Sequence, residues 1–212
     1  MTSGKDDDGR EGAPSKRFGR RNLFFGVGAV AAAAPVLESC EPAKLPAAGS
    51  GVLGPGQVAV TLRVNGAEAR VAVEPRQTLA DVLRFVLGLT GTKVGCDRGS
   101  CSACTVWLDG VPVCACTTFV LDAVGREVTT VEGLAHGDTL HPVQEAFIEH
   151  DAMQCGFCTP GMVMSCAALL ARKPDVTLDD VRAATSGNLC RCGTHAKVFD
   201  ATLAAAGRRK GG

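Results

Sequence analysis

Apolar and polar residues alternate along Gln57–Val64 (QVAVTLRV), the two-residue period of a strand with one buried face. Asn65-Gly66 follows, a dipeptide suited to the left-handed φ values of a tight hairpin turn, and Glu68–Val73 is the return strand. At Thr78 the period changes. Leu79, Val82, Leu83, Val86 and Leu87 recur at spacings of three and four, which predicts a helix capped by the Thr78 hydroxyl. A second hairpin is predicted over Thr105–Leu108 and Val111–Val113 around Asp109-Gly110, and a further strand over Glu127–Val131. Strands with one helix packed across them make a small α+β domain, assigned to residues 57–133. Beyond it the alternation stops. His141–His150, Gly161–Arg172, Leu178–Thr185 and Ala196–Ala206 each carry helical spacing, so residues 134–206 are expected to form a small four-helix bundle, with 207–212 a tail.

The first 56 residues read differently. Residues 1–16 are polar, charged and Gly-rich, with too little apolar surface to fold, and are expected to be disordered. Residues 17–40 carry basic residues, Arg20-Arg21 among them, ahead of the uncharged run Leu23–Leu37. Fifteen residues are too few to span a bilayer core, which takes about 20 in a helix. A basic flank before a short Gly/Ala-rich apolar run reads as an export signal, and the adjacent Arg20 and Arg21 resemble a twin-arginine signal. A short membrane anchor is the other reading. Gly26 to Ala31 fits a G-x-G-x-x-A dinucleotide fingerprint, but no strand precedes it, so the match carries no weight. Leu37-Glu38-Ser39-Cys40 resembles a lipoprotein cleavage box, which makes Cys40 either a lipid-bearing residue or an incidental one. Residues 41–56 are Pro-, Gly- and Ala-rich, a linker by composition.

Charge excludes one class of function. The chain has 22 basic and 22 acidic residues, and from Glu41 onward 16 and 17, so nothing supplies the positive field of a nucleic-acid grip. Eight Phe, one Trp and no Tyr leave little for base stacking. The outlying number is eleven Cys, at 40, 96, 101, 104, 114, 116, 155, 158, 166, 190 and 192. An odd count cannot all pair as disulfides, and a chain this long does not need a disulfide scaffold.

Cys96-x4-Cys101-x2-Cys104, with Cys116 further on, has the plant-type spacing for a [2Fe–2S] cluster. Three thiolates come from one loop, and Gly95 and Gly99 let its backbone turn tightly. Cys114 stands two residues before Cys116 and competes with it for the place of fourth ligand. A second set is Cys155-x2-Cys158 with Cys190-x-Cys192, two pairs at the ends of separate helices. Structural zinc uses four Cys in two pairs as well. Catalytic dithiol chemistry at Cys155 and Cys158 is a further alternative, although it lacks the surrounding βαβ pattern and leaves Cys190 and Cys192 unexplained. Cys166 lies on the apolar face of a helix beside Met162 and Leu169, as a small core residue would. His136, His141 and His150 read as capping or solvated residues. No residue asks to be a catalytic acid, base or nucleophile.

Gly95-Cys96-Asp97-Arg98-Gly99-Ser100-Cys101-Ser102-Ala103-Cys104-Thr105-Val106 resembles the first cluster loop of the iron–sulfur subunits of the xanthine oxidase (molybdenum hydroxylase) family. Gln154-Cys155-Gly156-Phe157-Cys158-Thr159-Pro160-Gly161 and Gly187-Asn188-Leu189-Cys190-Arg191-Cys192-Gly193 resemble its second. The resemblance covers about residues 57–206 and implies a β-grasp, plant-type ferredoxin-like domain followed by a four-helix bundle, each holding one [2Fe–2S] cluster. It implies Cys96, Cys101, Cys104 and Cys116 as the first ligand set and Cys155, Cys158, Cys190 and Cys192 as the second. It also implies a large partner subunit carrying molybdopterin and oxidising an aldehyde or N-heterocycle. Electrons would pass through the helical-domain cluster, then the ferredoxin-domain cluster, to a flavin (FAD) subunit, a haem cytochrome or another acceptor. Gln154 and Cys192 would lie beside the pterin. A free-standing ferredoxin-like carrier is the alternative function. Two residues depart from the family pattern: Ser102, where Gly is usual, and His195, where Tyr is frequent and which reads as a surface or packing residue.

Overall fold

The computed structural model describes residues 54–210. The stretches expected to be disordered (1–16) and to act as a signal (17–40, with Arg20, Arg21 and Cys40), most of the expected linker and the last two residues lie outside the described residues.

The alternating segments form strands at the expected places: β1 (Val58–Val64), β2 (Ala67–Val73), β3 (Thr105–Leu108), β4 (Val111–Cys114) and β5 (Glu127–Thr129). They make one mixed sheet in the order β2-β1-β5-β3-β4, with β1 and β5 parallel and the other pairs antiparallel. Both hairpin turns use left-handed residues, Asn65-Gly66 and Asp109-Gly110. Asn65 does more than turn. Its side-chain amide donates to Thr130 Oγ1 at 3.0 Å, and its oxygen accepts from the Thr130 N–H at 2.8 Å. That claim on Thr130 ends β5 two residues before the expected Val131, which enters a 3-10 turn instead.

Thr78 caps α1 (Leu79–Asp81) through a reciprocal pair with Asp81. The helix then widens into a π turn over Val82–Val86, closed by the Leu87 N–H on the Val82 carbonyl at 3.0 Å. A wider turn changes the angular step per residue. Leu79, Val82 and Leu83 therefore reach the sheet, while Val86, expected on the same face, is 46% exposed. The buried sheet residues Leu62, Val64, Val73, Val106, Leu108 and Val128 complete this first core.

Four helices follow: α2 (Pro142–Glu149), α3 (Thr159–Arg172), α4 (Leu178–Thr185) and α5 (His195–Lys210). His141 caps α2, its Nδ1 accepting the Val143 N–H at 3.2 Å. α3 is buried from Gly161 to Leu170, Cys166 included, and packs with Val143, Phe147, Val198 and Ala201 into a second core. Burial pushes the Cys166 thiol up to about 11, which keeps it protonated and inert. Trp107 of β3 packs against this second core and donates its indole N–H to the Met164 carbonyl at 2.9 Å. The sheet and the helices thus share a packed boundary. No helix among the described residues is long and apolar enough to cross a membrane.

Candidate metal centres

The loop from Cys96 to Cys104 lies between the π turn and β3 and turns through three left-handed residues, Asp97, Gly99 and Ser102. Only Gly adopts that conformation without cost, which is the physical reason a glycine suits the place of Ser102 (φ 53°). The turns aim backbone N–H groups at sulfur. Ser100 N–H lies 3.2 Å from Cys96 Sγ, and Gly99 N–H lies 3.4 Å from Cys116 Sγ. The thiols meet in pairs, Cys96 with Cys101 and Cys104 with Cys116. The Arg98 backbone N–H, with help from Cys101 and Ser100, brings Cys96 down to about 7. Burial pushes Cys104 up to about 12, and the neighbouring Cys116 and Cys114 sulfurs add to this.

At the second place Cys155 and Cys158 occupy the turn leading into α3, and Cys190 the loop between α4 and α5. They line one open cavity of about 620 Å³ with Phe157, Asn188, Leu189, Arg191 and His195. Cys192 and Gln154 are exposed, and neither lines the cavity. Burial pushes Cys158 up to about 12, with the Cys190 and Cys155 sulfurs acting in the same direction. At Cys190 burial also opposes the thiolate, but it is outweighed. The Thr194 hydroxyl at 3.2 Å and the Thr194 N–H at 3.5 Å, with the Cys158 thiol, bring Cys190 down to about 6.

This asymmetry is testable on metal-free protein. A lowered value means that the Cys190 thiolate is present above about pH 6, so iodoacetamide labelling should rise through that pH. Cys158, held near 12, should stay unlabelled at pH 7. Peptide mass mapping between pH 5 and 9 reads both, and Thr194→Val should move the Cys190 midpoint upward.

The two places are joined directly. Leu189 N–H donates to the Cys101 carbonyl at 3.1 Å. The buried Asn188 donates its side-chain amide to the Ser102 carbonyl at 3.2 Å, across 86 residues of sequence. Gly161, in the first turn of α3, lies so close that a Cβ there would stand 2.2 Å from the Ser102 oxygen. The Asn188 carbonyl in turn pairs with His195 Nε2 at 3.0 Å. His195 packs against Phe199, as a packing residue should, but it also braces the cysteine loop. Thr194, Asn188 and the Ser102 carbonyl were not legible from sequence, because none has a ligand's chemistry. Only the Cys-Gly-Thr run after Cys190 hints at Thr194.

A [2Fe–2S] group asks for four thiolates over two irons. Sulfurs met in pairs, Cys96 with Cys101 and Cys104 with Cys116, fit that demand. The donor chemistry therefore fits a dinuclear group at the first place. At the second, three sulfurs line the cavity and the fourth stands exposed nearby.

Residues 62–128 match the 2Fe-2S iron-sulfur cluster binding domain, and residues 130–203 match the [2Fe-2S] binding domain. The chain is thus a two-part iron–sulfur protein, a ferredoxin-like domain joined to a helical one. It is 42% identical to the aldehyde oxidoreductase iron-sulfur-binding subunit PaoA of Escherichia coli, over 90% of this chain and 89% of that one. It is 47% identical to the nicotine 6-hydroxylase small subunit of Paenarthrobacter nicotinovorans, over 72% of this chain and 92% of that one. Among solved structures, quinoline 2-oxidoreductase from Pseudomonas putida 86 superposes with a TM-score of 0.70 at 43% identity, over 74% of this chain and 98% of the matched chain. The chain belongs to the iron–sulfur subunits of the xanthine oxidase, or molybdenum hydroxylase, family.

Proposed function

We propose that this chain is the electron-transfer subunit of an exported molybdenum hydroxylase. It would relay electrons from a large molybdopterin subunit to a flavin subunit, a cytochrome or another acceptor while an aldehyde or N-heterocycle is oxidised. The observation that carries this reading is the hydrogen-bonded contact between the two cysteine loops, Leu189 to Cys101 and Asn188 to Ser102. Two redox groups held on loops in contact suit a relay.

In this reading Cys96, Cys101, Cys104 and Cys116 hold one [2Fe–2S] group, and Cys155, Cys158, Cys190 and Cys192 hold the other. When bound, each group supplies one-electron storage, so that two electrons leaving a partner's molybdenum can be carried off singly. The protein's part is placement and charge. Ser100, Gly99 and Thr194 aim N–H groups at Cys96, Cys116 and Cys190, and at Cys96 and Cys190 such bonds favour the thiolate form that binds iron. The exposure of Cys155, Phe157, Leu189 and Cys192 opens this end of the helical half toward a partner.

Isolation from the producing cell tests the reading. The expected product is a brown complex in which this chain accompanies a molybdenum-containing subunit and bleaches on addition of an aldehyde or N-heterocycle. A chain that purifies alone with its iron would favour the free-standing carrier. A colourless, zinc-containing chain would overturn both.

Two residue-level outcomes follow from the same reading. Gln154 stands exposed beside Cys155, and its amide can both donate and accept toward a pterin. Gln154→Ala should keep both groups yet slow their reduction by the partner several-fold or weaken cofactor retention there, as loss of one hydrogen bond of about 0.5–1.5 kcal/mol implies. Stopped-flow bleaching and cofactor analysis read it, and if both are unchanged Gln154 is structural only. Replacing Arg20 and Arg21 by Lys should strand the iron-loaded protein in the cytoplasm, checked by cell fractionation. Unchanged export would remove the twin-arginine reading.

A further inference from the structure

Eight of the eleven cysteines are assigned above, and Cys114 is left over beside the first place. Its position is specific. In the β3–β4 register Cys114 is the partner of Thr105, which sets it alongside Cys104, and the Ala115 N–H closes the pair on the Cys104 carbonyl at 3.2 Å. The Cys104 sulfur feels both neighbours, Cys116 first and Cys114 after it. Across the loop the two competitors face the same residue. Gly99 offers its N–H to Cys116 Sγ at 3.4 Å, while its carbonyl lies 3.9 Å from Cys114 Sγ. The other contact of the Cys114 thiol is the Ser102 hydroxyl at 3.9 Å. Both contacts are long, so little energy holds this side chain in its present rotamer. Cys114 is also half-buried rather than sealed in the core.

We propose that Cys114 is a reserve ligand for the first [2Fe–2S] group, able to take the place of Cys116 when that sulfur is lost. The inference rests on the assignment of Cys116 as the working fourth ligand. Cys116 has the stronger claim because its sulfur receives the Gly99 N–H at 3.4 Å, whereas the Cys114 sulfur faces the Gly99 carbonyl. When Cys114 exchanges in, the iron–sulfur bond to Cys116 breaks and one to Cys114 forms, the Cys114 proton passes to solvent, and a released Cys116 thiolate takes one up. Where Cys116 is absent, only the bond to Cys114 forms and its proton is lost to solvent. No oxidation state changes. The exchange would be taken up where the end of β4 passes into the 3-10 turn Ala115–Thr117.

The test uses the full chain in its assembly, with iron analysis and paramagnetic resonance of the reduced protein. Cys116→Ala is expected to keep four irons and a first-group signal with altered g-values. Cys114→Ala alone should keep four irons and the native signal. The double variant should fall to two irons, with the second-group signal intact as proof of folding. Cys96→Ala, which has no spare thiol at hand, should fall to two irons by itself. Loss of the first signal in Cys116→Ala overturns the proposal, and so does its survival in the double variant. Loss in Cys114→Ala would make Cys114 the working ligand and overturn it as well.

If Cys116→Ala does not accumulate as folded protein, Cys116→Ser decides. A wholly thiolate-type absorption spectrum that turns to a serinate-type one on adding Cys114→Ala supports the reserve role. Identical spectra with and without Cys114 overturn it. Absence of iron in every one of these variants separates a failure of the metal-site reading from a failure of the reserve role.

Discussion

Cys190→Ala is expected to remove one [2Fe–2S] group and leave the other, taking the chain from four irons to two and ending turnover with the partner's substrate. Cys101→Ala should do the reverse at the other place. In the proposed assignment the groups draw on separate sulfurs, so the two losses should be independent, although the loops touch through Leu189 and Asn188. Cys166→Ala is the control. Its sulfur is buried in the helical core, so it should keep all four irons and lose only the packing of one small side chain, about 1 kcal/mol. Iron analysis with low-temperature paramagnetic resonance reads all three variants. Retention of both signals in Cys190→Ala would contradict the ligand assignment, and zinc in place of iron there would end the relay account.

Gly161→Ala should be strongly destabilising. Its Cβ would stand 2.2 Å from the Ser102 carbonyl oxygen and about as close to the Ala103 backbone as a clash allows, at 3.0 Å. The obstacle is backbone on both counts, so no side chain can swing aside. Overpacking of this kind costs about 1–3 kcal/mol, and here the upper end is expected. For a chain of this size each kcal/mol lowers the melting temperature by roughly 2–4 °C. Relief would come by moving α3 away from the first cysteine loop, which would weaken the bond from Asn188 to Ser102. Gly207→Ala provides the contrast. It lies in α5 with nothing within 4 Å, so it should be neutral or stabilising by roughly 0.5–1 kcal/mol. Thermal unfolding of both variants tests the difference, and equal melting temperatures would deny that the Gly161 contact holds the halves together.

Much of the local architecture could be read from residue pattern. Hairpin turns at Asn65-Gly66 and Asp109-Gly110, the Thr78 cap and the spans of α2 to α4 fall where alternation, helical spacing and capping chemistry put them, while α5 runs four residues past the expected Ala206 to Lys210, into the stretch expected to be a tail. Each depends on residues only a few positions apart, which is the range over which backbone sterics and capping bonds act. The exceptions have tertiary causes. Val86 shares the period of α1, but the π turn rotates it to solvent. The fifth strand stops at Thr129 because Asn65, 65 positions before Thr130, takes the next residue's hydrogen bonds.

The cysteine spacings by themselves marked two metal-type places, because ligand chemistry needs sulfur and few residue types can supply it. Sequence could not say that the two cysteine loops touch, that Gly161 must be small because the Ser102 carbonyl stands against it, or that His195 braces the second loop through Asn188. Nor could it show Cys114 and Cys116 on either side of Gly99. These relations join residues far apart in the chain or through backbone atoms that every residue carries. No residue type announces such a contact. It exists only once the sheet and the helices have buried their apolar faces against each other, and that packing decides which sulfur, carbonyl and amide end up neighbours.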